Sequence, residues 1–167
     1  MRSTVLSNPL QGTGNAKMHF LNIVTIICSG LMVGSELAVS AFVNPALWQV
    51  DDEAQAKAVS LLARTLGKIM PFWYVLCMVL LAGEVYLHGH DPDLTPLLVA
   101  LVIWTAVIIC TVLFLVPINN RIASLQPPFF PALWKQDHKR WDTLHRWRIL
   151  LLTVAMVSLT YALVRSS

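Results

Sequence analysis

The stretch Pro96–Val116 reads PLLVALVIWTAVIICTVLFLV, 21 residues without one charged side chain. As an α-helix rising about 1.5 Å per residue it covers roughly 30 Å, the thickness of a bilayer's hydrocarbon layer. Outward from it lie three more runs of the same kind, Phe20–Val43, Met70–Leu87 and Trp147–Val164. Each is long enough to cross as a helix. Composition agrees, with 56% hydrophobic residues, 13% charged residues and a mean hydropathy of +0.64. A soluble domain carries about 25% charge to solvate its surface, so the balance excludes most soluble enzymes, a disordered chain and a basic nucleic-acid-binding domain. The expected fold is all-α, a four-helix transmembrane bundle formed by residues 18–167 as one domain, after a flexible tail over residues 1–17. The first run is too long for a signal peptide, contains Glu36 and lacks a small-residue cleavage site. The lipid bilayer is the expected partner and nucleic acid is not; a homo-oligomer stays open.

Four spans put both termini on one side. That side holds Arg2, Lys17 and Arg165, while the other holds Lys57, Arg64, Lys68, Arg121, Lys135, Lys139, Arg140, Arg146 and Arg148. The excess places the first and third loops in the cytoplasm and both termini outside. The second loop, His88–Thr95, is short and carries Asp91 and Asp93. Asp51–Lys68 has a helical period and extends the second helix beyond the bilayer, with Glu53 and Lys57 as an i,i+4 pair and a kink expected at Pro71. The third loop contains Gln126-Pro127-Pro128-Phe129-Phe130-Pro131, flanked by Trp134. It is expected to form an interfacial cap loop between helices three and four. Gly30, Gly34 and Ala38 form a small-residue ridge for close helix packing. Cys28, Cys77 and Cys110 fall one to a run and read as small buried residues.

The informative residues are polar ones in or beside these runs. Glu36 lies well inside the first run, where a carboxylate is costly unless paired or protonated. Trp141, His145 and Arg148 follow an i, i+4, i+7 spacing and share one face as the fourth run begins. Span counting places them at the same end as Asn44, Trp48 and Asn119, with Glu36 beneath. The opposite end carries Glu84, His88, His90 and Asp91. There the i,i+4 pair Glu84/His88 plus His90 is compatible with a divalent metal, against the plainer reading of solvated groups at a helix end.

Gly67-x-x-x-Pro71 opening the second span, Pro117-x-Asn119 closing the third and Trp141-x-x-x-His145-x-x-Arg148 opening the fourth resemble the small integral-membrane proteins of the anthrone-oxygenase type. The His-x-x-Arg element with the preceding Pro-x-Asn is the most specific part, and Glu36 lies outside these motifs. The resemblance implies oxidation of an anthrone to an anthraquinone with O2, without a conventional flavin or nicotinamide.

The residues argue for related chemistry by themselves. No GxGxxG follows a strand and there is no Walker loop, so no nucleotide cofactor is expected. An acidic C–H beside an aromatic ketone needs a base and a group to hold the resulting enolate. His145 titrates near neutrality and suits the first task; Arg148 or the Asn119 amide suits the second. An electron-rich carbanion can pass an electron to O2 directly. The expected catalytic set is therefore His145, Arg148, Asn119 and Glu36. Asn44, Trp48 and Trp141 are expected to bind an apolar aromatic substrate, the tryptophans as flat walls, with no metal and no cofactor. Two other classes stay open: a haem- or metal-binding membrane redox protein using His145 or His88/His90 as ligands, and a non-catalytic membrane accessory protein.

Overall fold

The computed structural model describes residues 9–126 and 133–165, with side chains from Met18 onward. The first rod consists of α1 (Pro9–Ala38), a π-helical segment π1 (Val39–Val43) and α2 (Asn44–Leu47). The second rod is α3 (Asp52–Leu87). The third joins α4 (Thr95–Cys110), a π-helical segment π2 (Thr111–Leu115) and α5 (Val116–Ala123). The fourth is α6 (Trp134–Arg165). All four are long and apolar enough to cross a membrane, over Met18–Leu47, Asp52–Leu87, Thr95–Ala123 and Trp134–Arg165. The protein is an all-α, multi-pass integral membrane protein.

Local chemistry explains where the rods begin. The Asp51 carboxylate accepts from the Ala54 N–H at 2.9 Å and caps α3, and Asp52 and Glu53 follow at the positive end of the helix dipole. Glu53 pairs with Lys57 at 2.7 Å. Pro96 stands in the first turn of α4, where the missing N–H costs nothing, while Pro45 and Pro117 lie within their rods, each two residues after a π segment. Helix α3 runs unbroken through Pro71, which leaves the Gly67 carbonyl without its usual donor. The C-terminal carbonyls of α5 are held from α3: Arg64 Nε donates to Ala123 O at 2.7 Å, and Ser60 reaches Ala123 O and Leu125 O. Arg64 thus closes a helix end.

Helices α1, α4 and α5 do not form one layer; α1 packs on α3 and α6, and α4 and α5 pack on the same two helices. The first and third rods therefore sit diagonally, with the second and fourth between them. Arg165 at the end of α6 pairs with Asp93 in the second loop at 3.2 Å, and Thr25 of α1 bonds Glu84 at the end of α3. Both ends of the described chain consequently lie on the side of the second loop.

Two apolar cores stack along the bundle. The larger, within the spans, includes Met32, Cys77, Leu81, Ala100, Trp104, Val107, Leu152, Ala155 and Leu159. The smaller packs the extended start of α3 (Ala56, Val59, Ala63) on Ile118, Ile122, Leu125 and Trp134. Outward-facing residues of the spans such as Phe20, Phe72, Val102 and Val164 are exposed, as a lipid-facing surface requires.

Several sequence expectations change here. The backbone of residues 9–17, read as a tail, is helix continuous with α1. A Cβ at Gly30 would meet Met156 at 3.5 Å but one at Gly34 would meet nothing within 4 Å, so of the two glycines in the small-residue ridge only Gly30 lies against a neighbouring helix. Cys28 and Cys77 lie with their sulfurs 3.8 Å apart as free thiols, whereas Cys110 is exposed rather than buried. The proline-rich centre of the cap loop, 127–131, lies outside the described residues; Trp134 belongs to the smaller core.

Candidate functional site

The polar side chains meet between the two cores. Glu36 sits in the last turn of α1, buried, and its Oε2 accepts from Arg148 Nη2 at 2.5 Å. Its Oε1 accepts from the Tyr74 hydroxyl of α3 at 3.1 Å. The Arg148 guanidinium also lies 5.6 Å from the Tyr74 ring centroid, within cation–π range. A buried carboxylate thus has both oxygens satisfied, one by a charge, which is what its depth demands.

His145 completes the cluster. Its Nδ1 lies 2.8 Å from Arg148 Nη2 and 3.2 Å from Glu36 Oε2, and its Nε2 lies 3.2 Å from the backbone carbonyl of Glu36. Arginine only donates, so the 2.8 Å contact requires a lone pair on Nδ1. We assign the ring proton to Nε2, donated to Glu36 O. Both ring nitrogens are then engaged; a proton on Nδ1 would find Glu36 Oε2 at 3.2 Å as acceptor but would stand against the closer Arg148 donor. The sequence reading gave His145 the proton-accepting role and Arg148 a separate one; here the two side chains are in direct contact. Trp141 stacks on the His145 ring, centroids 4.5 Å apart.

These residues form one wall of a cavity of about 290 Å³ lined from all four rods: Glu36 and Val39 of the first, Gly67, Met70 and Tyr74 of α3, Thr111, Leu115 and Asn119 of the third, and Trp141, His145 and Arg148 of α6. That is the lower end of the range for small-molecule sites. Both π segments contribute lining, consistent with the frequent placement of such segments at functional sites. Asn119 donates from Nδ2 to Ala63 O at 3.1 Å, and a Cβ on Gly67 would lie 2.9 Å from that nitrogen. Glycine at 67 is therefore what lets the Asn119 amide dock against α3.

Of the residues singled out from the sequence, Glu36, Asn119, Trp141, His145 and Arg148 share this cavity. Asn44 and Trp48 do not line it. Asn44 donates to Asp142 at 2.7 Å, Asp142 in turn pairs with Arg146 at 2.9 Å, and Trp48 stacks on His138 at 4.7 Å. These contacts fasten the start of the first loop to α6. Tyr74 and Thr111 are lining residues that the sequence reading missed; a Tyr or Thr inside an apolar run has no spacing signal that separates it from packing.

At the opposite end, Glu84 and His88 are buried rather than solvated. Glu84 accepts from Thr25 at 2.7 Å and, with the Asn22 amide in its bonded orientation, from Asn22 at 3.0 Å. His88 Nδ1 lies 3.0 Å from the Glu84 carbonyl, while His90 is exposed. Among the described residues no group of three or more His, Cys, Asp or Glu side chains has metal-holding geometry.

Comparison with known proteins gives one family. No curated protein and no solved structure matches the chain. The profile of the family described as "Anthrone oxygenase" matches residues 59–158, which is 100 of 167 residues and spans the Gly67, Asn119, His145 and Arg148 side of the cavity. Glu36 lies outside the matched segment. With well over half its length matched, this chain belongs to the anthrone oxygenase family.

Proposed function

We propose that this protein oxidises an apolar, fused-ring aromatic ketone of the anthrone type with O2 inside the bundle cavity. The observation that supports this reading best is an ion-paired carboxylate, Glu36–Arg148, on the wall of a mainly apolar cavity. In the proposed reaction the ring CH2 loses a proton to the Glu36 carboxylate, and the electron pair stays on the substrate as an enolate. Arg148, released from the carboxylate as it is neutralised, then faces the enolate oxygen; the site exchanges one anionic partner for another without a change in net charge. His145 holds the Arg148 guanidinium in place, and Trp141 offers a flat wall. The enolate reduces O2 directly. Overall CH2 and O2 become C=O and H2O, one oxygen atom being retained and the other leaving as water. The scheme uses no resident haem, metal or flavin.

The test is the full-length protein in lipid vesicles, given an anthrone while O2 uptake and quinone absorbance are followed. We expect one O2 consumed per quinone formed, and a loss of about 10²–10⁴-fold in Glu36→Gln, the range for a lost acid–base group. Quinone formation no faster than in protein-free vesicles overturns the proposal. A visible absorption band in the purified protein that tracks activity would replace it by the haem or metal reading.

A further inference from the structure

Two polar atoms on the cavity wall are buried and have no hydrogen-bond partner among the described residues, Thr111 Oγ1 and Arg148 Nε. Other such atoms, Ser29 Oγ, His88 Nε2 and Trp104 Nε1, belong to residues that do not line it. A buried hydroxyl without a partner is costly, and helical threonines ordinarily avoid that by bonding back to a carbonyl four residues earlier. Elsewhere in this bundle they do so: Thr105 to Leu101 O at 2.8 Å, Thr143 to Lys139 O at 3.0 Å and Thr153 to Ile149 O at 2.9 Å. Thr111 is different. It is the first residue of π2, and its backbone N–H already reaches Val107 O and Ile108 O while its hydroxyl bonds to neither.

We infer that Thr111 is a specificity-determining residue whose hydroxyl bonds an oxygen substituent on the ring of the bound aromatic ligand. The inference rests on the proposed function for the choice of ring system. Arg148 Nε–H can only donate, so it calls for a carbonyl or enolate oxygen; the Thr111 hydroxyl both donates and accepts, and so suits a phenolic hydroxyl. The ligand class is a hydroxylated aryl ketone, with two oxygen functions meeting two atoms that the protein itself leaves unbonded. π2 has a use in this account: it brings a threonine to the cavity with its hydroxyl free.

The experiment compares two ligands on three proteins. Parent anthraquinone and a monohydroxylated anthraquinone, both product-like and inert to turnover, are titrated into the full chain in lipid nanodiscs. The proteins are the unsubstituted chain, Thr111→Val and Thr111→Ser. Valine keeps the shape and removes the hydroxyl; serine keeps the hydroxyl. We expect the unsubstituted protein and Thr111→Ser to prefer the hydroxylated ligand by roughly tenfold, the scale of one hydrogen bond. Thr111→Val should bind both alike, with the affinity for the parent compound unchanged, which also shows that the cavity is intact. A preference that survives in Thr111→Val overturns the role of Thr111 and leaves the proposed function standing. Failure of the unsubstituted protein to bind either quinone overturns both.

Discussion

Removing one partner of the Glu36–Arg148 pair strands the other charge in a site where both side chains are nearly inaccessible, and that cost has a predictable size. Arg148→Met should destabilise the protein by about 3–5 kcal/mol, as should Glu36→Gln, because each leaves one buried charge uncompensated. The double variant Glu36→Gln/Arg148→Met removes both charges and should recover most of that stability while remaining inactive. Thermal unfolding in detergent beside quinone formation checks this. A double variant as unstable as the singles would mean that the pair is not the electrostatic unit its 2.5 Å contact indicates. His145→Gln should lower turnover by roughly tenfold, far less than Glu36→Gln, because Gln can still accept from Arg148 and donate to the Glu36 carbonyl. Equal losses would return the proton-accepting role to His145. The meeting of Glu36, His145 and Arg148 was legible in the sequence because a lone carboxylate in an apolar run demands a partner and one helix face supplied it. That Arg148 also touches the His145 ring was not, since a contact between Nη2 and one ring nitrogen leaves no mark in the spacing.

Helix α3 owes its place to a pair of residues that weaken helices. Pro71 removes a donor and Gly67 removes a side chain, and the space at Gly67 is filled by the Asn119 amide from α5. Gly67→Ala tests this coupling. The added methyl gains roughly 0.5–1 kcal/mol in helix preference, and displacing the amide costs about 0.5–1.5 kcal/mol for the bond to Ala63 O. Stability should therefore stay within about 1 kcal/mol of the parent, while activity falls because Asn119 and its neighbours in the cavity wall shift. Activity unchanged by Gly67→Ala would show that docking of Asn119 matters only for packing. At this scale the four long helices were plain from the length of the apolar runs, and the extension of α3 from its charged, periodic start. The π segments were not, since nothing in Val39–Val43 or Thr111–Leu115 distinguishes a five-residue turn from ordinary helix. The small-residue ridge misled because spacing alone does not say which face meets a neighbour.

The whole molecule sets the cavity in a bilayer, with consequences for orientation and for access. If the Lys and Arg excess sets the orientation, the first loop faces the cytoplasm, and with the three native cysteines replaced by Ser, Gln49→Cys should react only from that side and Asp91→Cys only from outside. The reverse pattern would invert the molecule. Access is the finer question. Val75 of α3 and Val112 and Val116 of the third rod line the cavity yet are 59%, 57% and 38% exposed on the lipid-facing surface. Residues that line the cavity and also face outward are what an opening between α3 and π2 would be built from, so entry from the bilayer at this point is the expected route. An apolar ketone partitions into the hydrocarbon layer, and passage through this opening spares it a return to water. Val112→Trp narrows the opening without touching Glu36, His145 or Arg148. Substrate capture should fall, seen as a lower kcat/KM at fixed lipid-to-protein ratio, while kcat at saturation and thermal stability hold because the reacting groups are unchanged. If kcat/KM is unaffected by Trp at both Val75 and Val112, the substrate arrives from the loop end instead; if kcat falls with it, the tryptophan has intruded on the cavity, and Val112→Phe becomes the informative variant.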